Sequence, residues 1–339
     1  MRVLITGMNG FIGHHVASLF LDETNWELVG LDRIDATSTL HRLRDIPHWK
    51  EHANRVKFVW HDLRAAINPT VDRAIGHVDV ILHMAASTHV DRSIIDPMSF
   101  VMDNVVGTTN LLEWTKARKM MMSSIRKHPL FIHFGTDEIF GPAPEGTAYR
   151  EWDRYNSGNP YAASKAGAEE MAVAFSNTYD LAMLCTHTMN VFGERQHAEK
   201  FIPKVIACVL REYVLTVHAD AACAKAGSRF YLYARNVGQA LKFLIEKHCE
   251  KQLPRCTKVN LVGECEIDNL SLAQMIAKLV GKPLKYEMVD FHSSRPGHDL
   301  RYALDGTVLK NMGFNFSLNL ERSLAETVAW YMENPEWLA

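Results

Sequence analysis

Residues 2–13 read Arg2-Val3-Leu4-Ile5-Thr6-Gly7-Met8-Asn9-Gly10-Phe11-Ile12-Gly13, and a helical pattern then runs to Leu21. A short apolar run before a glycine-rich turn and a helix predicts a buried strand feeding that helix. Each glycine has a mechanical reason. Gly7 permits the tight turn, Gly10 lets a pyrophosphate approach the backbone, and Gly13 lets the helix pack on the strand. The helix start offers unpaired N–H groups and a favourable dipole to phosphates. Glycine triplets are common in turns, so the weight lies in this one's position between a strand and a helix.

The pattern repeats outward from there. Arg2–Thr6, Glu27–Leu31, Val56–Trp60, Val78–His83 and Leu130–Phe134 are near-continuously apolar, as parallel strands covered on both faces are. Helical patterns at Phe11–Leu21, Pro97–Lys119 and Tyr161–Thr178 lie between or after them. Strand and helix in alternation predict an α/β fold, a doubly wound parallel sheet of the Rossmann type. Beyond Met189 the pattern loosens. Strands are expected near Phe230–Tyr233 and Lys258–Val262, helices near Asn236–Lys247, Leu270–Val280 and Leu320–Asn334, and a loop at Ala219–Gly227. The expected division is a dinucleotide-binding domain over 1–190, to which segments near 230–262 return, and a smaller C-terminal lobe over 191–339 that binds substrate.

Composition limits the partners. The chain has 339 residues, 47% hydrophobic and 22% charged, enough for a sizeable core. Thirty-seven Lys and Arg against 39 Asp and Glu leave a net charge of -2, which disfavours nucleic acid or a membrane surface as a partner. No apolar run approaches the roughly 20 residues of a membrane span, and the N-terminus lacks the regions of a signal peptide. The six cysteines show no CxxC spacing, so a reducing cytoplasm is expected. The 17 histidines show no metal-ligand spacing, and no metal is expected.

Asp32 closes the second predicted strand, where an acidic residue about 20 residues past the glycines accepts hydrogen bonds from an adenosine ribose. It repels a 2′-phosphate, so NAD is expected over NADP, although Arg33 beside it argues the other way. Asp62, after the third strand, stands where it could meet the adenine or simply form a turn.

Of the ten tyrosines only Tyr161 has a lysine four residues on, Lys165 in NPYAASK. On a helix the two share a face, so the ammonium is expected to lower the phenol's pKa and hold a nicotinamide ribose. The same spacing also occurs in plain surface pairs. Thr136-Asp137-Glu138 follows the strand Leu130–Phe134, and ligands of doubly wound folds bind at carboxyl ends of strands. Adjacent carboxylates there read either as a solvated turn or as an acid and a base, since like charges push one pKa up.

Together the GxxGxxG loop, Asp32, Thr136-Asp137-Glu138 and Tyr161-xxx-Lys165 resemble the extended short-chain dehydrogenase/reductase superfamily. Within it the chain is most similar to the nucleotide-sugar 4,6-dehydratases. The similarity runs through residues 83–93 (HMAASTHVDRS), 199–203 (EKFIP) and 295–302 (RPGHDLRY). The Asp-Glu pair is its specific part, because sister epimerases and decarboxylases generally lack it. Phe230–Tyr233 and the ending Asn334-Pro335-Glu336-Trp337 resemble eukaryotic-type UDP-glucose 4,6-dehydratases of rhamnose synthesis more than bacterial dTDP-glucose enzymes.

The resemblance implies a lyase that oxidises the sugar at C4, eliminates water across C5 and C6, and returns the hydride to C6, with NAD regenerated in place. It implies Tyr161 beside Lys165 as base at O4, Thr136 as a hydrogen bond to O4, Glu138 as base at C5, and Asp137 as acid at the C6 hydroxyl. Phe11, Ile12, Leu63, Ala85 and Ala86 are implied cofactor contacts beside the glycines, Asp32 and Asp62. Thr88, Asn190 and Lys200 are implied at the sugar and its phosphate, and Arg229, Asn269, Arg295 and His298 at the diphosphate, ribose and base, where arginine's planar fork suits phosphate. A homodimer through helices within Pro97–Lys119 and Tyr161–Thr178 is implied as well.

The chain departs from the pattern at several points. Gly135 stands for a serine, Phe140 for a frequent tyrosine and Asn236 for an acid. The stretch Glu194–Lys200 lacks two prolines, and Val217–Ser228 is long and rich in alanine. These positions leave the substrate open between UDP-glucose, dTDP-glucose and UDP-N-acetylglucosamine. An epimerase or decarboxylase of the superfamily, or a non-catalytic NAD-binding scaffold, are the other readings.

Overall fold

The strand predicted at Arg2–Thr6 forms as β1, buried from Val3 onward, in a computed structural model that describes residues 1–33, 42–43, 46, 49–121, 128–291 and 300–339. The following strands are β2 (Glu27–Asp32), β3 (Val56–Trp60), β4 (Val80–His83), β5 (Leu130–Thr136), β6 (Met183–Thr188), β7 (Asn190–Phe192), β8 (Val214–Ala219), β9 (Ser228–Tyr233), β10 (Cys256–Leu261), β11 (Glu266–Asp268) and β12 (Lys285–Asp290). The longer helices are α1 (Phe11–Glu23), α2 (Gly107–Met121), α3 (Pro160–Tyr179), α4 (Phe201–Arg211), α5 (Ala234–Cys249), α6 (Asn269–Val280) and α7 (Leu320–Glu333).

Among the described residues a seven-stranded sheet runs β10-β6-β5-β4-β1-β2-β3, and each pair in it is parallel. This is the expected doubly wound, Rossmann-like sheet. Its register explains its two cores. Leu4 lies opposite Val29 and Ile81, and Ile81 opposite Phe131. All four enter one core with Leu111 and Leu112 of α2 and Phe175 of α3. The adjacent row, Val3, Leu28, Val80 and Leu130, points the other way into a core with Phe20 of α1 and Leu241 and Leu244 of α5. This period-two alternation is what covering both faces requires, and each fully buried aliphatic side chain contributes about 1.5–3 kcal/mol.

Elements of the second half build a third core. Val205 and Ile206 of α4, Leu215 and Val217 of β8, Leu272 and Ile276 of α6, and Leu324 and Val328 of α7 pack together. A three-stranded sheet, β11-β9-β7, and a β12-β8 pair flank it. The sequence pattern beyond Met189 left α4 and β8 unassigned. It also overestimated one helix. Pro97–Lys119 is not continuous, because Pro97–Phe100 gives way to a π-helical stretch, Val101–Val106, before α2 begins at Gly107. No described helix is long and apolar enough to cross a membrane. Among the described residues no His, Cys, Asp and Glu cluster could hold a metal ion.

Candidate active site

The site lies at the carboxyl ends of the central strands, where β1 and β5 hand over to their following turns. Gly7 sits at φ +71, the left-handed region, and donates its N–H to the Leu31 carbonyl at 3.0 Å. A Cβ on Gly13 would stand 2.2 Å from the Gly7 carbonyl oxygen, and one on Gly7 would stand 2.9 Å from the Ala85 backbone. The loop therefore packs on strand and helix only because these side chains are missing. α1 starts with no side-chain cap and no acidic residue in its first turn, which leaves its amide donors for an anion. Asp32 is buried at the end of β2, where Oδ2 accepts from Asn9 N–H at 3.0 Å and Oδ1 from Arg33 N–H at 2.9 Å. Cradle and carboxylate fit a dinucleotide.

Of the other predicted cofactor residues, Ala85 lies against Gly7 of this loop. Phe11 and Ile12 open α1, half-buried, and Ala85 and Ala86 follow β4, with Ala85 N–H on Thr6 Oγ1 at 3.1 Å. Leu63 is largely buried in the core. Asp62 is a turn-former, accepting Arg64 N–H at 2.9 Å, and lies 3.6 Å from the Arg33 guanidinium.

At the end of β5, Thr136 and Asp137 are buried and Glu138 is half-buried. Thr136 caps the short 3-10 turn Asp137–Phe140. It donates to Asp137 Oδ1 at 3.1 Å and lies close enough to the Tyr161 phenol to oppose the rise in its pKa. Burial, then the Glu138 charge, pushes the Asp137 carboxyl up to about 7, and its Oδ2 is buried with no hydrogen-bond partner. The positive charge of Arg229 opposes that rise, which brings Arg229 into the electrostatic range of the triplet. Asn159 caps α3 through Oδ1, accepting Ala162 N–H at 2.8 Å, and its Nδ2 donates to Glu138 Oε2 at 3.2 Å.

Tyr161 and Lys165 share a buried face of α3 as expected, but their electrostatics differ from the sequence reading. The phenol pKa is raised, first by burial and then by Glu138, rather than lowered by Lys165. Lys165 Nζ instead donates to the Phe134 carbonyl at 2.6 Å. Burial brings the ammonium down to about 8, against the pull of Glu169.

The predicted substrate residues that the structure describes come from several elements. Thr88 is exposed in the loop before the short helix Val90–Ile95. Asn190 is exposed at the start of β7 and in register with Tyr231, whose hydroxyl donates to Asn269 Oδ1 at 2.7 Å. Lys200 precedes α4 and adds its charge at His89, which sits 3.4 Å from Glu199. Arg229 stacks over the Tyr302 ring at 4.7 Å. Arg295 and His298 lie outside the described residues. A cavity of about 840 Å³ opens between Tyr231, Asn260, Glu264 and Leu318, and none of Thr136, Asp137, Glu138, Tyr161 and Lys165 lines it.

Sequence reasoning missed several supporting residues. Asn104, in the π-helical stretch, accepts Ser87 N–H at 2.8 Å and donates to Ser164 Oγ at 2.8 Å, while Ser93 Oγ accepts Tyr161 N–H at 3.1 Å. Behind Lys165, the buried Glu169 pairs with His187 at 2.9 Å and Lys258 at 3.0 Å. The β6 backbone, with Glu169 behind it, accounts for Gly135, since a Cβ there would stand 2.5 Å from the Thr186 carbonyl oxygen and 3.1 Å from Glu169 Oε2. Phe140 is buried edge-on to His187 at 5.0 Å and stacked on Tyr149 at 5.6 Å. The Asn159-Pro160 dipeptide was the one readable signal, an N-cap followed by proline.

Comparison with known proteins adds a family. The model of the GDP-mannose 4,6 dehydratase family matches residues 4–327. The chain is 34% identical over 339 residues to the Arabidopsis thaliana trifunctional UDP-glucose 4,6-dehydratase/UDP-4-keto-6-deoxy-D-glucose 3,5-epimerase/UDP-4-keto-L-rhamnose-reductase, covering 99% of this chain and 48% of that protein. It thus spans about half the length of these plant relatives. It is 30% identical over 357 residues to the Escherichia coli dTDP-glucose 4,6-dehydratase, covering 99% of this chain and 95% of that protein. The Streptomyces venezuelae dTDP-glucose 4,6-dehydratase, crystallised with NAD, superimposes with a TM-score of 0.85 at 29% identity, covering 99% of this chain and 98% of that one.

Proposed function

The chain belongs to the GDP-mannose 4,6 dehydratase family, and from that premise we propose that it dehydrates a nucleoside-diphosphate hexose, UDP-glucose or dTDP-glucose, to the 4-keto-6-deoxy sugar nucleotide. The observation that carries this reading is the carboxylate pair beside Tyr161, in which Asp137 is shifted up to about 7. A carboxyl that keeps its proton near neutrality is an acid, and the carboxyl group next to it is placed to act as the base.

The Gly7–Gly13 cradle and Asp32 would hold NAD, and the chemistry it would supply there is reversible hydride exchange with the sugar. Tyr161 takes the O4 proton, and Lys165, one helical turn away and held by the Phe134 carbonyl, would meet the nicotinamide ribose. Thr136, beside the phenol, orients O4. The C4 ketone acidifies the C5 proton, which Glu138 removes from the position Asn159 gives it. Asp137 protonates the departing C6 hydroxyl. Thr88, Asn190 and Lys200 are assigned to the sugar and its phosphate. Arg229 and Asn269 are assigned to the diphosphate and nucleoside, as are Arg295 and His298 on sequence alone.

The division proposed earlier follows the same roles, with cofactor residues in 1–190 and most nucleotide-sugar residues in 191–339. We assign a homodimer through the Pro97–Met121 and α3 region, supported by Met98 and Val101, which are exposed apolar residues there. A cytoplasmic location is supported by six free cysteines.

The test is incubation of the purified protein with UDP-glucose, dTDP-glucose and UDP-N-acetylglucosamine separately, without added cofactor. Loss of one water from UDP-glucose or dTDP-glucose, abolished in Glu138→Gln and Tyr161→Phe, supports the reading. Dehydration of the N-acetylated sugar alone moves the substrate, an isomer of unchanged mass points to an epimerase, and no reaction with NAD present sinks these three substrates and points to a different sugar or a scaffold.

A further inference from the structure

One carboxylate outside the reacting centre ties together the ends of three strands of the main sheet. Asp103, on the π-helical stretch, accepts from both terminal nitrogens of Arg33 at 2.8 and 3.0 Å. It also accepts from Arg64 Nε at 2.6 Å and Ser87 Oγ at 2.6 Å. Arg33 follows β2, Arg64 follows β3 and Ser87 follows β4, so four hydrogen bonds converge on one side chain that is 8% exposed. Burial works against its charge, yet the bonds from Arg64, Arg33 and Ser87 hold its pKa down to about 2. The carboxylate is ionised throughout the physiological range.

The position of this cluster gives it a meaning. Arg33 is bonded through its N–H to Asp32, the residue at the end of β2 placed to meet an adenosine ribose. An arginine beside that position is the group that takes a 2′-phosphate in NADP-binding proteins. Here the fork of Arg33, which matches a phosphate bidentately, is spent on Asp103. Asp62 adds a second acid 3.6 Å from the same guanidinium.

We propose that Asp103 sets the cofactor preference, by holding Arg33 and Arg64 in an internal ion pair and so denying a 2′-phosphorylated dinucleotide its cationic partner. The proposal rests on the reading that a dinucleotide occupies the Gly7–Gly13 cradle. It explains how a chain with two arginines at the ribose end remains an NAD protein. Asp32 repels the extra phosphate, and Asp103 removes the arginines that would otherwise attract it.

The test is binding. The dinucleotide released on denaturing the purified wild type is identified, and the Kd values for NAD and NADP are measured by calorimetry after cofactor removal. Asp103→Asn is expected to lower the ratio of the NADP Kd to the NAD Kd by about tenfold or more, the worth of one charge-assisted bond. The double variant Asp103→Asn, Arg33→Ala is expected to restore the wild-type ratio. Asp103→Ser gives the same comparison should the asparagine variant lose its circular-dichroism spectrum. A wild type that binds NAD, with an unchanged ratio in both Asp103 variants, overturns the proposal and leaves the cofactor reading standing. A wild type that binds neither dinucleotide overturns both.

Discussion

Asn159 Nδ2 donates to Glu138 Oε2 at 3.2 Å while its Oδ1 caps the helix that carries Tyr161. One side chain therefore fixes the proposed C5 base relative to the proposed O4 base. Asn159→Ala is expected to cost about 1 kcal/mol of stability through the lost cap. It should also lower kcat by about tenfold or more, because Glu138 loses its orientation, with KM little changed. Thermal unfolding and steady-state kinetics read the two effects separately. Asn159→Asp, which keeps a capping oxygen but faces Glu138 with a like charge, should retain stability and lose rate.

Asp137 predicts a pH dependence with a definite sign. Its folded pKa of about 7 lies above that of an unfolded aspartate, so the folded state binds the extra proton between roughly pH 4 and 7. Stability from this group is present at low pH and is lost as pH rises through about 7. The rate of water elimination should fall over the same range as the acid ionises. Asp137→Asn should raise the melting temperature at pH 8 by roughly 2–6 °C, should raise it less at pH 5, and should remove the alkaline limb from whatever rate remains.

Gly135 should tolerate no side chain. Gly135→Ala places a methyl group 2.5 Å from the Thr186 carbonyl oxygen, and strand separation there should cost about 1–3 kcal/mol. Because Glu169 and His187 are neighbours of the same position, the alanine variant should also lower the rate. Denaturant titration together with kinetics checks this.

Gly13→Ala should leave the protein purified without dinucleotide, since its methyl group would stand 2.2 Å from the Gly7 carbonyl oxygen and must push the cradle open. Nucleotide released on denaturation, set against the wild type, is the measurement.

What the sequence revealed and what it withheld divide along sequence distance. The cradle, Asp32 and the Tyr161–Lys165 pair were legible because a strand, a turn and a helical period are local. The Thr136-Asp137-Glu138 triplet was legible because the apolar run before it announced a strand end. Arg33 and Asp103 are 70 residues apart, and Asn104 and Ser164 are 60 apart, so no pattern in a window of one element could pair them. The π-helical stretch escaped for a related reason, since its apolar residues fit a 3.6-residue period well enough to read as ordinary helix. The Lys165 effect on Tyr161 was misjudged because proximity on a helix face says nothing of burial, which dominates both groups. Arg295 and His298 have no structural account.

The most direct test of the central claim follows one atom. UDP-glucose or dTDP-glucose carrying deuterium at sugar C4 is incubated with the wild-type protein, and the product is read by mass spectrometry and NMR. Dehydration with internal return of hydrogen puts the deuterium in the C6 methyl group, beside a C4 ketone, with one water lost. Deuterium still at C4 in a sugar nucleotide of unchanged mass, its configuration inverted or not, would contradict the account.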